Sequence, residues 1–331
     1  MVEAIKYSPK VSIILLNWNG AEFTIPCVES LRLQSYDNIE IIIVDNGSVD
    51  NSRSLLAKKF GGSIKLVPLD KNRGFTGGNN TGIELALKDG ADYVLVLNND
   101  TVADSNFVKE LVALAETNIH FGVVTGKIFY YDQRELLWFA GGIVRRGLLA
   151  FKHRGLLKRD TGEYDTVDES RFVTGCCMLV RREVFEAVGL FDDRFFIYSE
   201  DADFSLRVFR QGYALMYTPH ALLWHKESAS MRKNTLRAGA GTVSPRQYYL
   251  STRNRIFLVR KHSPPMEKVL TLTVVVLEAL LWSSFFVVRR RWEKLSSIWK
   301  GIFDGMTTNL RDKKGLSFEH HMDNSRERTP V

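Results

Sequence analysis

Short apolar runs alternate with longer amphipathic stretches over the first third of the chain. Strand-length runs occupy positions 11–16, 39–44, 64–67 and 93–97, and turn residues and helical spacing separate them. Alternating strands and helices are typical of β-α-β units, and continuous apolar strands are typical of a sheet buried on both faces. The pattern predicts an α/β fold with a Rossmann-like, mostly parallel sheet and helices on both faces.

The run at 93–97 continues directly into Asn98, Asn99, Asp100 and Thr101. Ligands bind at the carboxyl ends of strands in open parallel sheets, and a carboxylate there that faces a phosphorylated substrate commonly holds a divalent cation. Asn and Asp are also ordinary turn residues, so an Asx turn that closes the strand is the alternative. Asp100 is therefore a candidate metal ligand, and a purely structural role in an Asx turn remains the alternative.

The run at 39–44 ends on a second carboxylate, Asp45. An acid at the end of an early strand in a nucleotide-binding sheet accepts hydrogen bonds from the base or the ribose. Asp50, which follows in the same turn, is interpreted as a helix-capping residue. Asp45 is therefore a candidate nucleotide contact and Asp50 a structural group.

A glycine-rich segment, NRGFTGGNN, follows the third run. Gly74, Gly77 and Gly78 allow the backbone to approach a ligand closely, and a helix predicted to start near Asn79 would offer free N–H groups to phosphate. Arg73 adds a positive charge. The spacing matches neither the dinucleotide-binding nor the Walker glycine pattern, so an ordinary loop remains the alternative.

From about residue 122 the pattern changes to shorter strands and loops that are rich in aromatic and basic residues. Such a region suits the wall of an acceptor site better than the half that binds a nucleotide. An apolar strand is then predicted over 172–180, and a short helix over 182–188 that ends at Gly189.

Three carboxylates, Glu200, Asp201 and Asp203, lie at the start of the next predicted helix. Acidic residues in a first turn interact favourably with the helix dipole, which is the structural interpretation. The same dipole keeps a carboxylate ionised, and an ionised carboxylate can accept the proton of an attacking hydroxyl. The apolar face of this helix is predicted at i, i+4 and i+7, on Ala202, Leu206 and Phe209.

The last strand predicted before residue 226 ends in Trp224 and His225. A histidine after a strand is commonly structural. An imidazole and a carboxylate together nevertheless suit Mn²⁺ or Mg²⁺, with the remaining positions left to phosphate oxygens and water. His225 is therefore the candidate partner of Asp100 in a metal site.

The formal net charge of +7 raises the question of nucleic-acid binding. Much of the excess lies after position 231, beside an apolar run, and no nucleic-acid-binding motif is recognisable. These features favour an anionic membrane surface as partner and argue against nucleic acid. The spacing of the three cysteines does not match a metal-binding motif, which fits a reduced cytosolic compartment. The N-terminal residues lack the apolar core of a signal peptide.

The apolar run at 269–288 is about long enough to cross a bilayer, but Glu278 interrupts it. Lys268 precedes the run and three arginines follow it, so charge gives no clear orientation. A helix that lies in the membrane interface is the favoured interpretation, with Trp282 and Trp292 among its anchors. A spanning helix and a soluble helix packed on the rest of the protein are the alternatives. The tail at 315–331 is predicted to be disordered.

Seven segments in this order resemble the motifs of family 2 glycosyltransferases, and most closely their rhamnosyltransferase-like branch. The resemblance covers roughly residues 10–262. The segments are NWNG (17–20), VDNGSVDNS (44–52), NRGFTGGNN (72–80), LNNDT (97–101), GCCMLVRREVF (175–185), FDDRFFIYSEDADFSLR (191–207) and WH (224–225).

The resemblance implies a GT-A-type catalytic domain over 1–262. Its nucleotide-sugar half would span about 10–121 and its acceptor half about 122–262, followed by a hydrophobic and basic helical region over 263–314. The resemblance also implies transfer of a sugar from a nucleotide-diphospho-sugar with inversion at the anomeric carbon.

Carried over by motif, Asp45 would contact the base of the donor nucleotide. The other residues implied in donor binding are Asn17, Arg73, Gly74, Asn79, Asn99 and Asp100.

Asp100 matches the last acid of the family's Asp-x-Asp motif and His225 its later metal-binding histidine. Asp201 matches the general base, with Glu200 beside it. The first position of the Asp-x-Asp motif is Asn98 here, which removes one negative charge and weakens the case for strict metal dependence.

The expected function is transfer of a sugar, with rhamnose favoured, from a dTDP- or UDP-sugar to a glycan or lipid-linked saccharide in cell-surface polysaccharide synthesis. A divalent cation, Mg²⁺ or Mn²⁺, is the expected cofactor, and the cytoplasmic face of the membrane the expected location. The alternatives are a catalytically silent sugar-nucleotide or glycan-binding protein and a nucleotidyltransferase. The latter would need a basic glycine-rich loop near the N-terminus, and NWNG carries no positive charge.

Overall fold

A computed structural model describes residues 8–145, 147–226 and 243–310. The disorder expected over 315–331 lies outside these ranges. The strands are β1 (Val11–Asn17), β2 (Ile39–Asp45), β3 (Lys65–Pro68), β4 (Tyr93–Leu97), β5 (Thr101–Ala103), β6 (Phe121–Tyr130), β7 (Gln133–Phe139), β8 (Gly142–Arg145), β9 (Ala150–His153), β10 (Asp168–Glu169), β11 (Cys177–Arg181) and β12 (Ala214–His225). The helices are α1 (Ala21–Leu31), α2 (Ser52–Phe60), α3 (Gly74–Lys88), α4 (Phe107–Glu116), α5 (Arg182–Val188), α6 (Glu200–Arg210), α7 (Pro245–His262), α8 (Pro265–Val288) and α9 (Trp292–Thr307), with a 3₁₀ turn at Asp193–Phe195.

Ten strands form one mixed sheet in the order β10-β12-β6-β11-β4-β1-β2-β3, with β5 paired to β12 and β7 to β6. Strands β4, β1, β2 and β3 run parallel, and β11 runs antiparallel between β4 and β6. The register places Asn17 opposite Asp45 and Leu15 opposite Leu97. Because parallel strands end at one edge, the polar residues that follow β1, β2 and β4 meet there.

Apolar side chains on the two faces of the sheet form two separate cores. One core packs the sheet against α1, α2 and α4, and the other packs it against α3, α5 and α6. Tyr93–Leu97 is buried along its whole length, as expected for a strand covered on both faces. The predicted α/β class with helices on both faces is confirmed.

The predicted helix start near Asn79 is wrong, because α3 begins at Gly74. Two amide side chains hold its first residue: Asn72 Oδ1 accepts from the Gly74 N–H at 2.8 Å, and Asn46 Nδ2 donates to the Gly74 carbonyl at 3.0 Å. Gly74 has φ of +76°, and a Cβ there would lie 2.5 Å from the Phe196 carbonyl oxygen. A close contact between two loops therefore sets this helix start.

The strand predicted over 172–180 forms only from Cys177 onward. The backbone before it bonds to side chains of α6 instead: Val173 N–H donates to Ser205 Oγ and Gly175 N–H donates to Asp201 Oδ2, both at 3.1 Å. Sheet pairing is replaced here by contact with a helix.

The predicted apolar face of α6 is also wrong in part. Phe204 and Val208 are fully buried, whereas Phe209 is 45% exposed. The Phe204 ring lies 5.6 Å from Phe185 and 5.1 Å from Phe191, measured between centroids. Packing against these rings turns the Phe204 and Val208 side of the helix toward the sheet.

Helices α7, α8 and α9 pack together, and α7 also contacts α6. Gly301 and Gly305 of α9 allow its backbone to approach α7, since a Cβ at Gly301 would lie 2.7 Å from the Tyr249 carbonyl oxygen. Among the described residues, α8 is the one helix long and apolar enough to cross a membrane by length and composition. One side of α8 is buried in the protein, through Thr271, Val275, Ala279 and Phe286.

Candidate active site

A cleft of about 500 Å³ opens at the edge of the sheet where the parallel strands end. Its walls come from the segments after β1, β2 and β4, the start of α3, the segment before α6, and the start of α7. Residues from these walls include Trp18, Asn99, Asp100, Gly74, Phe196, Tyr198 and Arg246.

Pairing of the short strand β5 with the end of β12 holds Asp100 and His225 together. Antiparallel pairing of β5 with β12 places Thr101 opposite His225, and the Lys226 N–H donates to the Asp100 carbonyl at 2.8 Å. The Asp100 Oδ1 and His225 Nε2 atoms lie 3.1 Å apart, and both side chains are largely buried. The predicted partnership of these two residues is thus present in the structure.

This pair offers one carboxylate and one imidazole to a cation. No cluster of three or more His, Cys, Asp or Glu side chains suited to a metal occurs within the described residues. Two protein donors fit a Mg²⁺ or Mn²⁺ ion that takes its other ligands from phosphate and water. Cys27 lies nearby, with Sγ 3.6 Å from Thr101 Oγ1, but burial raises the pKa of this thiol to about 12, so it stays protonated.

The Asp201 carboxylate is fixed by two backbone donors. Its Oδ2 accepts from the Gly175 N–H at 3.1 Å and its Oδ1 from the Ala202 N–H at 2.7 Å. Glu200 is 5% exposed, and its Oε2 is buried without a hydrogen-bond partner among the described residues. The two adjacent acids therefore occupy different environments, one supplied with donors and one without.

Burial raises the pKa of Glu200 well above its usual range, and the neighbouring Asp201 charge raises it further. Burial also raises the pKa of Asp201, but the Gly175 and Ala202 N–H groups act in the opposite direction. The two backbone donors therefore favour the charged form of Asp201, whereas Glu200 has a buried oxygen without such a partner among the described residues.

The third acid of the group, Asp203, has a separate structural position. It is fully buried and forms ion pairs with Arg207 at 2.9 Å and Lys261 at 2.6 Å, and a hydrogen bond with His262 at 2.8 Å. Although burial opposes ionisation, these partners hold the pKa of the Asp203 carboxyl far below its usual range. Asp203 joins α6 to the end of α7 and is ionised at neutral pH.

The carboxylate pair and the Asp100–His225 pair meet through the segment before β11. Gly175, which donates to Asp201, is followed by Cys176, whose carbonyl accepts from the Asn98 N–H at 3.0 Å. Asn98 is two residues before Asp100. Backbone contacts therefore place Asp201 and Asp100 at the same edge of the sheet.

The glycosyl transferase family 2 model matches residues 12–189 of this chain. The chain belongs to this family. It is 29% identical over 280 residues to the O-antigen biosynthesis protein RfbC of Myxococcus xanthus, a match that covers 81% of this chain but 21% of RfbC. It is 25% identical over 286 residues to the low-salt glycan biosynthesis hexosyltransferase Agl10 of Haloferax volcanii, covering 86% of this chain and 85% of that protein.

The fold is that of GT-A transferases. The mannosyltransferase PcManGT of Pyrobaculum calidifontis, solved in complex with GDP-Man and Mn²⁺, superposes with a TM-score of 0.55 at 14% identity. That match covers 91% of this chain and 88% of the mannosyltransferase. At this identity the similarity establishes the fold alone.

Within this family 2 chain, Asn17 and Asp45 lie beneath the cleft and not on its surface. Asp45 is 1% exposed, and its carboxylate accepts from Asn17 Nδ2 at 2.8 Å and Ser48 Oγ at 2.7 Å. Asn17 Oδ1 in turn accepts from Thr24 Oγ1 at 2.8 Å. The two predicted donor contacts form one buried polar network at the ends of β1 and β2, so their contact with a nucleotide stays a prediction.

The other predicted donor residues divide between two positions. Gly74, Asn99 and Asp100 line the cleft. Asn79 is buried in α3, where its Nδ2 donates to the Phe75 carbonyl at 2.9 Å, and Arg73 is exposed at the start of that helix. Gly74, Asn99 and Asp100 are thus at the site, whereas Asn79 and Arg73 do not line it.

Sequence analysis did not identify the contribution of α7 to the cleft. Ser244, Arg246, Gln247 and Leu250 line it, far along the chain from the strand ends. The one local signal is the sequence Ser-Pro at 244–245, which is typical of an N-cap followed by the first helical residue. That signal predicts a helix start but not where the helix packs.

The raised pKa of Glu200 makes a testable prediction about stability. Consider a carboxyl group whose pKa is higher in the folded state than its unfolded value of about 4.3. It stabilises the fold fully at pH values below about 4.3, and this contribution is lost as the pH rises toward the folded-state pKa. The amide introduced by Glu200→Gln cannot ionise, so the melting temperature of E200Q relative to wild type should rise between about pH 5 and 8. Glu22→Gln, at an exposed position in the first turn of α1, is the control. A difference between E200Q and wild type that does not change with pH would contradict this.

Proposed function

We propose that the protein is an inverting glycosyltransferase. It moves a sugar from a nucleotide-diphospho-sugar to a hydroxyl of a glycan or lipid-linked saccharide during cell-surface polysaccharide synthesis. The observation that carries the proposal is the meeting of the Asp201–Glu200 pair and the Asp100–His225 pair at one edge of the sheet. Family membership and the names of RfbC and Agl10 support the same reaction class.

The donor would lie along the edge formed by β1, β2 and β4. Its diphosphate would face Asp100 and the backbone at Gly74, and its base would reach toward Asp45 and Asn17. Asn99 faces the cleft from the same side, and Arg73 and Asn79 flank it on α3. A dTDP- or UDP-sugar is proposed, with rhamnose favoured by the resemblance to the rhamnosyltransferase-like branch.

Asp100 and His225 would hold a divalent cation, Mg²⁺ or Mn²⁺. A cation at this position stabilises the negative charge that accumulates on the departing nucleoside diphosphate. The PcManGT complex with GDP-Man and Mn²⁺ supports the assignment by its fold.

Asp201 would act as the general base. Its ionised carboxylate removes the proton of the acceptor hydroxyl as the hydroxyl oxygen attacks the anomeric carbon, and the bond to the diphosphate oxygen breaks on the opposite face. Attack from that face inverts the configuration. The raised pKa of Glu200 favours its protonated form, which would reduce the negative charge beside Asp201.

The chain is proposed to divide the work between two halves. Residues 10–121 would bind the nucleotide-sugar and residues 122–262 the acceptor. The start of α7 faces the cleft from the second half, which supports an acceptor or sugar contact there.

Helix α8 is proposed to lie on the cytoplasmic face of the membrane. One side of it packs on the protein: Thr271 Oγ1 donates to the Gly147 carbonyl at 3.2 Å, and Glu278 pairs with Arg255. Its other side exposes apolar residues, among them Leu277 at 54% and Leu281 at 74%. Because a spanning orientation would separate Thr271 and Glu278 from these partners, an interfacial helix is favoured.

The general-base role predicts the behaviour of Asp201→Asn. The amide has nearly the same shape but cannot accept the proton, so kcat should fall by about 10²–10⁴-fold while the Kd for the donor stays within about threefold. Kd is measured by calorimetry and kcat with a panel of nucleotide-sugars. Asp37→Asn, at an exposed position, is the control. Near-normal turnover in D201N would remove Asp201 from this role.

The metal role predicts the effect of His225→Ala. Loss of one of two protein ligands should weaken Mn²⁺ binding in the presence of a nucleoside diphosphate by at least about tenfold, measured from the electron paramagnetic resonance signal of free Mn²⁺. His220→Ala, at an exposed position on the same strand, is the matched control. Unchanged Mn²⁺ affinity in H225A would contradict the site.

The interfacial helix predicts membrane binding that depends on the exposed face of α8. Replacing Leu277 and Leu281 together by Asp should reduce binding to phosphatidylglycerol vesicles at least about tenfold in a sedimentation assay, because two leucines that would insert into the lipid are lost. Leu33→Asp, which changes an exposed leucine near α1, should have little effect. Equal binding by the double variant and wild type would exclude this surface.

A further inference from the structure

Arg253 and Asn254 are two adjacent polar residues of α7 that are fully buried. Their side chains bond to each other: Arg253 Nε donates to Asn254 Oδ1 at 2.9 Å, and Arg253 Nη2 donates to the same oxygen at 2.8 Å. Both then reach the segment that precedes α6. A buried charge and a buried amide are costly unless they are hydrogen-bonded, so their position requires these partners.

The contacts concentrate on the backbone carbonyls of 194–198. Asn254 Nδ2 lies within hydrogen-bond distance of the carbonyls of Phe195 at 2.9 Å, Ile197 at 2.9 Å and Tyr198 at 2.8 Å. Arg253 Nη2 donates to the Arg194 carbonyl at 2.8 Å and the Phe195 carbonyl at 3.1 Å. One amide and one guanidinium thus contact four of the five backbone carbonyls of 194–198.

This segment has an unfavourable backbone conformation. Phe196, Tyr198 and Ser199 all have positive φ, at 63°, 75° and 68°. A non-glycine residue in such a region is strained and persists only where the surroundings hold it. The carbonyl contacts of Asn254 and Arg253 are interactions that hold it here.

The conformation of the segment determines where two parts of the site lie. Ser199 is the N-cap of α6, and Glu200 and Asp201 follow it directly. The Phe196 carbonyl also accepts from the Thr76 N–H at 3.1 Å. It lies so close to Gly74 that a Cβ at that position would be 2.5 Å from the carbonyl oxygen. The segment that Asn254 contacts therefore connects α7 to the carboxylate pair and to the glycine-rich start of α3.

We propose that Asn254, oriented by Arg253, is a positioning residue that fixes the segment before α6 and so directs the Asp201 carboxylate at the acceptor hydroxyl. The inference rests on the proposed function, since it assigns Asp201 the role of base. Asn254 touches no substrate in this account. Its effect is on geometry, and a displacement of about 1 Å at a reacting group can cost on the order of 10²-fold in rate.

The test compares Asn254→Ala with Arg255→Gln in the full chain. Arg255 is the next residue of the same helix and pairs with Glu278, so R255Q removes an ion pair between α7 and α8 and leaves Arg253, Asn254 and the segment before α6 unaltered. N254A is expected to lower kcat at least about 30-fold, with the donor Kd within about threefold of wild type. R255Q is expected to keep kcat within about threefold. Both are assayed well below their measured melting temperatures.

A second arm separates positioning from general destabilisation. Glycine adopts positive φ without steric cost, so Ser199→Gly should restore at least about fivefold of the lost kcat in the N254A background while changing kcat little alone. A role limited to stability would move the melting temperature without this rescue. If N254A is insoluble, Asn254→Ser, which keeps one donor, is assayed by the same criteria.

Three results would overturn the inference: kcat near wild type in folded N254A, equal loss of kcat in R255Q, or no rescue by S199G. D201N is measured in parallel. If D201N turns over normally, the proposed function fails whatever Asn254 does. If D201N is inactive and N254A is normal, the inference alone fails.

Discussion

The antiparallel pairing of β11 with β4 is the constraint on which the rest of the site depends. In a purely parallel sheet the neighbour of β4 would also end at the ligand-binding edge, and its loop would leave that edge. Here β11 begins at that edge, with Cys177 opposite Leu97. The residues that precede β11 are therefore available to bind α6, and Gly175 holds Asp201 within a few residues of Asp100. The reversal of one strand brings the Asp201 carboxylate and the Asp100–His225 pair to the same edge of the sheet.

The first turn of α6 carries three acids in two electrostatic states. Asp203 is surrounded by Arg207, Lys261 and His262 and remains ionised, which ties α6 to α7. Glu200 is buried beside the Asp201 charge, which raises the pKa of the Glu200 carboxyl well above its usual range. Asp201 has two backbone N–H donors, which favour its charged form. Burial and partners distinguish the three groups, and the sequence Glu-Asp-x-Asp alone does not.

The sequence was sufficient for the elements whose signal is local. Apolar runs located β1, β2 and β4, and polar residues at their ends located Asp45 and Asp100, because a parallel sheet brings strand ends together. Features set by distant contacts could not be predicted. The start of α3 depends on a hydrogen bond from Asn46. Residues 172–176 do not form the predicted strand because their backbone bonds to side chains of α6. The burial of Asp45 depends on Asn17 and Ser48.

The same dependence on distant contacts explains why the contribution of α7 to the cleft was not predicted from the sequence. Arg253 and Asn254 are polar positions in a helix, and nothing local distinguishes them from residues that face solvent. Their partners are carbonyls of the segment 194–198, and backbone carbonyls have no sequence signature. Helix α7 contacts α6 as well as α8 and α9, so the region that we assign to the membrane surface packs on the helix that lines the cleft.

The most direct test of the account is a crystal structure of the full chain with Mn²⁺ and UDP or dTDP. The account predicts the nucleoside diphosphate in the cleft between the ends of β1 and β4 and the start of α7. The ion should be bound by Asp100 and His225, and the Asp201 carboxylate should face the open side of the cleft. A nucleotide bound elsewhere on the molecule, or an ion held without Asp100 and His225, would contradict it.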